Sequence, residues 1–415
     1  MPSSSSPFNL QTCARPNILA LQPYRCARDD YKDDGTNILL DANENAFGPS
    51  LPPSLTSADL SLRTLNRYPD PHQGPLKTLL CDLRNASPPP SSSTTTTTTA
   101  TPTPAPLTAE NLFLGVGSDE AIDALLRSFC VPGRDKILVC PPTYGMYTVS
   151  AHTNDVSLIS IPLLPAPTFR PDVPALSAAL AADKTIKILY LCSPGNPTGS
   201  LIPPADIISL LNHKTYNGII VVDEAYIDFA PPSSSAAPLV TAYPNLVVLQ
   251  TLSKAFGLAG VRLGAAFAAA PVAGLMNALK APYNISTPTS ILASAALSKE
   301  GIAEMESSRS QIVKQRERLV AALPEIKGVG RLRGGEAANF LLFEILNQRG
   351  EPDNKVAKGV YERLAAGRGV VVRFRGTEHG CAGCLRVTVG TEEEVTRFLG
   401  EVGKVVEEVW GEVGA

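Results

Sequence analysis

The 415-residue chain is 44% apolar and 18% charged with a formal net charge of −3, the balance of a soluble globular protein long enough for one large domain and a smaller one. Mild acidity speaks against nucleic acid or an anionic membrane surface as a partner, because either selects a basic face. Eight cysteines in so long a chain do not make a disulfide framework, and without a His-Glu-x-x-His motif or a Cys/His cluster no metal is expected; Cys381-Ala-Gly-Cys384 reads as two incidental thiols.

Residues 1–12 are serine-rich and lack an apolar segment, so no secretory signal is expected. Arg15, Arg25 and Arg28, with no acid before Asp29, match a mitochondrial transit peptide only weakly, and a cytoplasmic location is expected. The most apolar window, Leu263 to Met276, is too short to span a bilayer and contains Pro271. Pro75 to Arg84 is helix-like. Pro88 to Pro106, with the threonine run Thr94 to Thr99, cannot bury enough apolar surface to fold, so the insertion 86–107 is expected to be a disordered surface loop inside a domain.

Asn111 to Leu114 reads as a short strand and Ser118 to Cys130 as a helix. Ile122, Leu125, Leu126 and Phe129 form one apolar stripe, Ser118 stands at the cap position, and Asp119 and Glu120 occupy the first turn. Gly115-Val116-Gly117 would let an anion approach the free amides of that helix, or would simply turn the chain. Apolar runs at Lys136 to Cys140, Ile186 to Cys192, Gly218 to Val222, Asn245 to Leu249 and Arg262 to Phe267 alternate with helix-like segments. This pattern predicts a predominantly parallel sheet covered by helices on both faces. A charged amphipathic stretch begins near Ile291, and Leu385 to Val389 followed by Thr391 to Trp410 reads as strand then helix.

Three motifs carry chemistry. Ser193-Pro194-Gly195-Asn196-Pro197-Thr198-Gly199 follows an apolar strand; alone it predicts a turn, with Asn196 able to bond a phenolic oxygen. Asp223-Glu224-Ala225-Tyr226 follows another, so Asp223 falls at a strand's carboxyl end, where open α/β sheets bind ligands. A carboxylate there keeps a pyridine nitrogen protonated, or merely caps a helix. Thr251-Leu252-Ser253-Lys254, with Arg262 eight residues beyond the lysine, joins an amine able to form a Schiff base to hydroxyls and a guanidinium able to hold a phosphate. With these motifs in order the chemistry is that of pyridoxal phosphate.

The chain resembles the fold-type I aminotransferases that use this cofactor, and among them the histidinol-phosphate aminotransferases of fungi. Besides the three motifs, the resemblance rests on Leu40 to Pro49, Arg67-Tyr68-Pro69-Asp70-Pro71, Gly115 to Glu120, Pro141 to Tyr147, Ala281-Pro282-Tyr283, Ala338-Asn339-Phe340, Val372-Arg373 and Cys384 to Gly390. It runs from about residue 15 to the end. Ala46, where the family usually has proline, and the 86–107 insertion are the departures. The resemblance implies an α/β fold: an N-terminal arm (1–60) joining a smaller α/β domain (291–415), and a large domain (61–290) with a mostly parallel, seven-stranded type of sheet.

It further implies that Lys254 carries pyridoxal 5'-phosphate and moves protons, its pKa depressed by burial and by Arg262, with Asp223 and Tyr226 as further catalytic residues. Gly117, Ser118, Asp119, Thr251, Ser253 and Arg262 would hold the cofactor phosphate, joined by Tyr68 from a neighbouring subunit, which makes the active unit a homodimer. Tyr144 would stack on the ring, and Asn196 and Tyr226 would bond its phenolic oxygen. Arg386 and Arg373 would recognise substrate anions, with Tyr24, Asn43, Glu44, Tyr283 and Asn339 as further substrate residues. Histidinol phosphate and the glutamate/2-oxoglutarate couple are the implied substrates. An aromatic aminotransferase or a threonine-phosphate decarboxylase shares the same cofactor residues and stays open from sequence.

Overall fold

The computed structural model describes residues 36–52, 65–86 and 103–413. The arm contributes a short strand, β1 (Ile38–Leu39). Seven strands then build the principal sheet: β2 (Leu112–Val116), β3 (Lys136–Val139), β4 (Ser157–Ser160), β5 (Ile186–Cys192), β6 (Ile219–Asp223), β7 (Leu246–Thr251) and β8 (Leu263–Ala268), in the order β2-β8-β7-β6-β5-β3-β4. β6 and β7 are buried along their whole length, which is why they read as continuous apolar runs and not as alternating ones. β4 gave no such signal because it is a polar edge strand, Ser-Leu-Ile-Ser, exposed at both ends.

The sheet is parallel from β7 to β4, but β8 runs antiparallel to both β7 and β2. The connection 252–262 contains only one short 3-10 turn, and a parallel crossover needs a longer excursion, usually through a helix. The chain therefore folds straight back, and Lys254 sits in that return.

Helices α1 (Gly74–Asn85), α2 (Gly117–Phe129), α3 (Met146–Thr153), α4 (Val173–Ala182), α5 (Pro204–Leu211) and α6 (Ala270–Leu279) accompany this sheet. The apolar stripe of α2 behaves as its spacing predicts: Ile122, Leu125 and Leu126 are fully buried with Phe113, Val221 and Val247 in the core on one face. Ser118 does not cap α2. The N-cap is Val116, whose own N–H donates to the Glu120 carboxylate; no side chain caps the amides of the first turn, which stay open at the start of the helix.

Helices α7 (Thr287–Ala296) and α8 (Lys299–Ala322), capped by the Ser286 and Ser298 side chains, lead to a second sheet. Its strands β9 (Val329–Leu332), β10 (Phe340–Ile345), β12 (Arg373–Phe374) and β13 (Cys384–Thr388) are antiparallel, in the order β12-β13-β10-β9, with α9 (Asn354–Arg368) and α10 (Glu392–Val413) against them. The arm joins this second layer, since β1 pairs in parallel with β11 (Val370–Val371). Among the described residues no helix is long and apolar enough to cross a membrane, and no group of three or more His, Cys, Asp or Glu side chains could hold a metal ion.

Most of the 86–107 insertion lies outside the described residues. Its two ends, however, are clasped: Asn85 Nδ2 donates to the Leu107 carbonyl at 3.0 Å and the Leu107 N–H donates to Asn85 Oδ1 at 2.8 Å. Because closure is secured by that pair, loop length should matter little. Replacing residues 88–102 with a short Gly/Ser linker is expected to change stability by less than about 1 kcal/mol, since each halving of a flexible loop alters closure by only about 0.6 kcal/mol; a chemical denaturation curve checks it, and a loss of several kcal/mol would show that the segment packs.

Candidate active site

The carboxyl ends of β5, β6 and β7 open into a cavity of about 210 Å³, lined by Asn196, Asp223, Tyr226, Thr251, Ser253 and Lys254 from this edge of the sheet. Gly117, Ser118 and Asp119 enter from the start of α2, Tyr144 from the turn before α3, Arg262 from the return to β8, and Ala42 and Glu44 from the arm. Eleven of the twelve residues expected around a cofactor, all but Tyr68, thus line one cavity although they come from segments far apart in sequence.

Asp223, the last residue of β6, is 2% exposed. Its Oδ2 accepts from the Tyr147 hydroxyl at 2.6 Å and its Oδ1 from the Ala225 N–H at 3.1 Å. Burial pushes its pKa up to about 6, against the lowering pull of those two donors. Tyr147 was not singled out from sequence, where an aromatic three residues after Tyr144 looks like core packing.

Lys254 is half-buried, and its ammonium donates to the Ala42 carbonyl at 3.1 Å and lies 5.7 Å from the Tyr226 ring centroid. Burial lowers its pKa to about 8, with Arg386 as the next cause; Glu44 and Asp119 oppose this, and Arg262 contributes least. The sequence reading assigned the lowering to burial and Arg262, so the larger cationic neighbour is Arg386, brought in from β13. The Tyr226 hydroxyl accepts from Asn43 Nδ2 at 2.9 Å, and burial holds its pKa up near 12.

Arg386 is 3% exposed. It donates to Asn196 Oδ1 at 2.7 Å and to the Asp41 carbonyl at 2.6 Å, its Nε has no partner, and no carboxylate lies within ion-pairing distance among the described residues. A desolvated guanidinium lacking a counter-ion is costly, and burial accordingly drags its pKa downward. Such a group is set up to receive an anion.

A second anion-binding corner is shaped by glycine. Gly117 has φ +71°, and a Cβ there would come within 2.5 Å of Arg262 Nη2. Gly264 on β8 likewise leaves no room, since a Cβ would lie 2.2 Å from the Ser118 amide nitrogen. The amides that open α2 are thereby pressed against the sheet beside Arg262, whose guanidinium is 3.7 Å from Asp119, and beside the buried hydroxyls of Thr251 and Ser253, which are 2.9 Å apart. Tyr144 donates to Asp119 Oδ1 at 3.1 Å and closes this side.

Asn43 and Asn339 support the cavity from behind. Asn43, at φ +56°, receives the Thr388 hydroxyl, donates its own N–H to Thr388 Oγ1 and offers its carbonyl to Asn339 Nδ2. Loop 193–200, which carries Asn196, is sewn to the segment before β10 by Gly335 N–H to Thr198 O (2.9 Å) and Ala337 N–H to Gly199 O (3.0 Å). No Cβ fits at this seam: at Gly199, Gly334 and Gly335 it would lie 2.1–2.7 Å from the facing backbone. Arg373 is half-buried, opposite Arg386 in the β12/β13 register, and does not line the cavity.

Two expected residues lie elsewhere on this chain. Tyr68, 81% exposed, stacks on Tyr283 with ring centroids 4.6 Å apart, and neither lines the cavity. Tyr24 lies outside the described residues.

The family profile described as aminotransferase class I and II matches residues 36–402. The histidinol-phosphate aminotransferase of Schizosaccharomyces pombe is 50% identical over 97% of this chain and 99% of that one, and the Saccharomyces cerevisiae enzyme of the same name is 48% identical over 94% and 96%. The crystal structure of a histidinol-phosphate aminotransferase from Sinorhizobium meliloti in complex with pyridoxal-5'-phosphate aligns with a TM-score of 0.79 at 20% identity, covering 98% of this chain and 100% of that one, which establishes the shared fold. The chain belongs to the class I and II aminotransferases and, within them, to the histidinol-phosphate aminotransferase family.

Proposed function

We propose that this protein is a pyridoxal-phosphate-dependent transaminase that takes the amino group of L-histidinol phosphate and passes it to 2-oxoglutarate, giving imidazole-acetol phosphate and L-glutamate in histidine biosynthesis. The observation that carries the reading is Arg386, a buried cation without a carboxylate partner, in the same enclosure as Lys254 and Asp223. Its planar fork suits both a phosphate monoester and a carboxylate, and the two half-reactions present one of each.

The residues present fit the cofactor: the Gly117/Gly264 cradle sets the amides that open α2 beside Arg262 for a phosphate dianion, and the buried carboxylate of Asp223 lines the same cavity, able to pair with a protonated ring nitrogen. Pyridoxal phosphate, when bound, supplies an aldehyde and an electron-withdrawing ring. Gly117, Ser118, Asp119, Thr251, Ser253 and Arg262 hold its phosphate, Tyr144 covers a ring face, Asp223 keeps the ring nitrogen protonated, and Asn196 and Tyr226 address its phenolic oxygen. Lys254 would be the residue that holds the cofactor's aldehyde carbon and the base for the proton at the substrate's α-carbon; a pKa near 8 leaves a usable share of neutral amine at physiological pH, where an unperturbed lysine at about 10.4 has almost none. Arg386, with Arg373 beside it on the sheet, receives the substrate anion, and Asn43, Glu44 and Asn339 shape the wall behind it.

A homodimer belongs to the same proposal. Tyr68 and Tyr283 form an exposed stacked pair that the cavity of their own chain does not use, as expected if Tyr68 completes the phosphate pocket of a second copy; Tyr283 and Tyr24 belong to the proposal as further substrate residues. A cytoplasmic location is supported by the described cysteines, which are all unpaired thiols.

Borohydride reduction of the holoenzyme should attach the cofactor to Lys254, read by peptide mass; a label on another lysine overturns the assignment. L-Histidinol phosphate should exceed histidinol, phenylalanine and tyrosine in kcat/KM, and Arg386→Ala should lower kcat/KM in both half-reactions by about 10- to 100-fold, the scale of a lost charge-assisted bond of 1.5–3 kcal/mol. Faster turnover of phenylalanine or tyrosine would replace this reading with an aromatic aminotransferase. Mixing inactive Lys254→Ala chains with inactive Tyr68→Ala chains should restore activity in hybrid dimers, where one site receives both intact residues; hybrids that form without activity return Tyr68 to its own surface.

A further inference from the structure

Resting on the cofactor reading above, we propose that Tyr147 is the positioning residue that sets the acid beneath the cofactor ring: its hydroxyl holds Asp223 in the one orientation that leaves the carboxylate's remaining acceptor sites facing the cavity. The case is geometric. Tyr147 is fully buried and donates to Asp223 Oδ2 at 2.6 Å, while the other oxygen is held from the main chain by the Ala225 N–H. One donor on each oxygen leaves the group no rotation about its terminal bond that keeps both.

The tyrosine is itself fixed. Its ring lies face to face with Tyr190 of β5, centroids 4.5 Å apart at 14°, and meets Tyr144 edge-on at 5.6 Å and 87°. Tyr147 therefore joins the aromatic that covers the ring face to the acid that meets the ring nitrogen, and α3 carries both contacts to the sheet. The proton of the pair stays on the phenol, because burial and the neighbouring Asp223 both push the Tyr147 pKa well above its ordinary value. Asp223 is thus kept as the acceptor, which is the form able to pair with a protonated ring nitrogen.

Ring-nitrogen recognition separates this role from general support. The probes are pyridoxal phosphate and its 1-deaza analogue, in which the ring nitrogen is replaced by carbon, and the readout is the ratio of their dissociation constants on the dialysed protein. The wild-type protein should prefer pyridoxal phosphate. Tyr147→Phe, which keeps both ring contacts, should lower that preference by about 3- to 10-fold, the scale of one ordinary net hydrogen bond, because the bond lost orients the acid and is not itself made to the cofactor, with the affinity for the analogue little changed. Tyr190→Phe should leave the ratio unaltered, and in an Asp223→Asn background Tyr147→Phe should not alter it further. Should Tyr147→Phe not accumulate as folded protein, Tyr147→Leu combined with Asp223→Asn is compared with Asp223→Asn alone, and a difference in ratio between them overturns the proposal. Equal weakening of both compounds by Tyr147→Phe, or an unchanged ratio, also overturns it. A wild-type protein that binds neither compound overturns the cofactor reading itself.

Discussion

Three consecutive residues of the N-terminal arm hold the reactive groups in place. The Asp41 carbonyl receives Arg386, the Ala42 carbonyl receives Lys254, and the Asn43 side chain donates to Tyr226. These groups come from β13, from the return between β7 and β8 and from the loop after β6, and no two of them belong to the same local structure. Their meeting depends on a strand of two residues, β1, whose pairing with β11 fixes where the following carbonyls point. The positive φ at Asn43 belongs to this constraint: it turns the backbone so that successive polar groups face different partners, a strained conformation that the four hydrogen bonds of Asn43 over-determine.

The electrostatic character of the cavity follows from that convergence. Lys254 and Arg386 are both desolvated and each is met mainly by neutral carbonyl or amide oxygens; burial lowers both, and Arg386 adds to the lowering at Lys254 while Arg375 adds to it at Arg386. Carbonyl dipoles are sufficient to keep the two cations in place and insufficient to neutralise them. Substrate anion and aldehyde then arrive at groups whose counter-charge is missing, and their binding relieves a cost already incurred in folding. Asp223 stands on the opposite side under the reverse pressure, its pKa raised by burial and restrained by Tyr147 and the Ala225 amide.

Much of this was legible in the sequence. The five apolar runs became strands within two residues at either end, and Asp223, Asn196 and Lys254 fell at or just beyond strand ends because a parallel sheet of this kind presents its carboxyl edge to ligands. What the sequence hid within the site shares a physical cause, namely contact between segments more than twenty residues apart. Tyr147 looks like packing until the register of β6 puts Asp223 within 2.6 Å of it. Arg386 outweighs Arg262 at Lys254 because the second sheet folds over the first, which no local spacing announces. Two local features were also missed: the direction of β8, which follows from the length of a connection, and the start of α2, which falls one residue before Ser118 and leaves that serine inside the first turn.

The seam at Gly199, Gly334 and Gly335 has a mechanical side. Backbone meets backbone there with no side chain between, so main-chain atoms alone set the spacing of the two segments. A single added carbon atom at any of the three glycines would act as a wedge, prising the loop that carries Asn196, and with it the bond to Arg386, away from the second sheet without touching a residue inside the cavity.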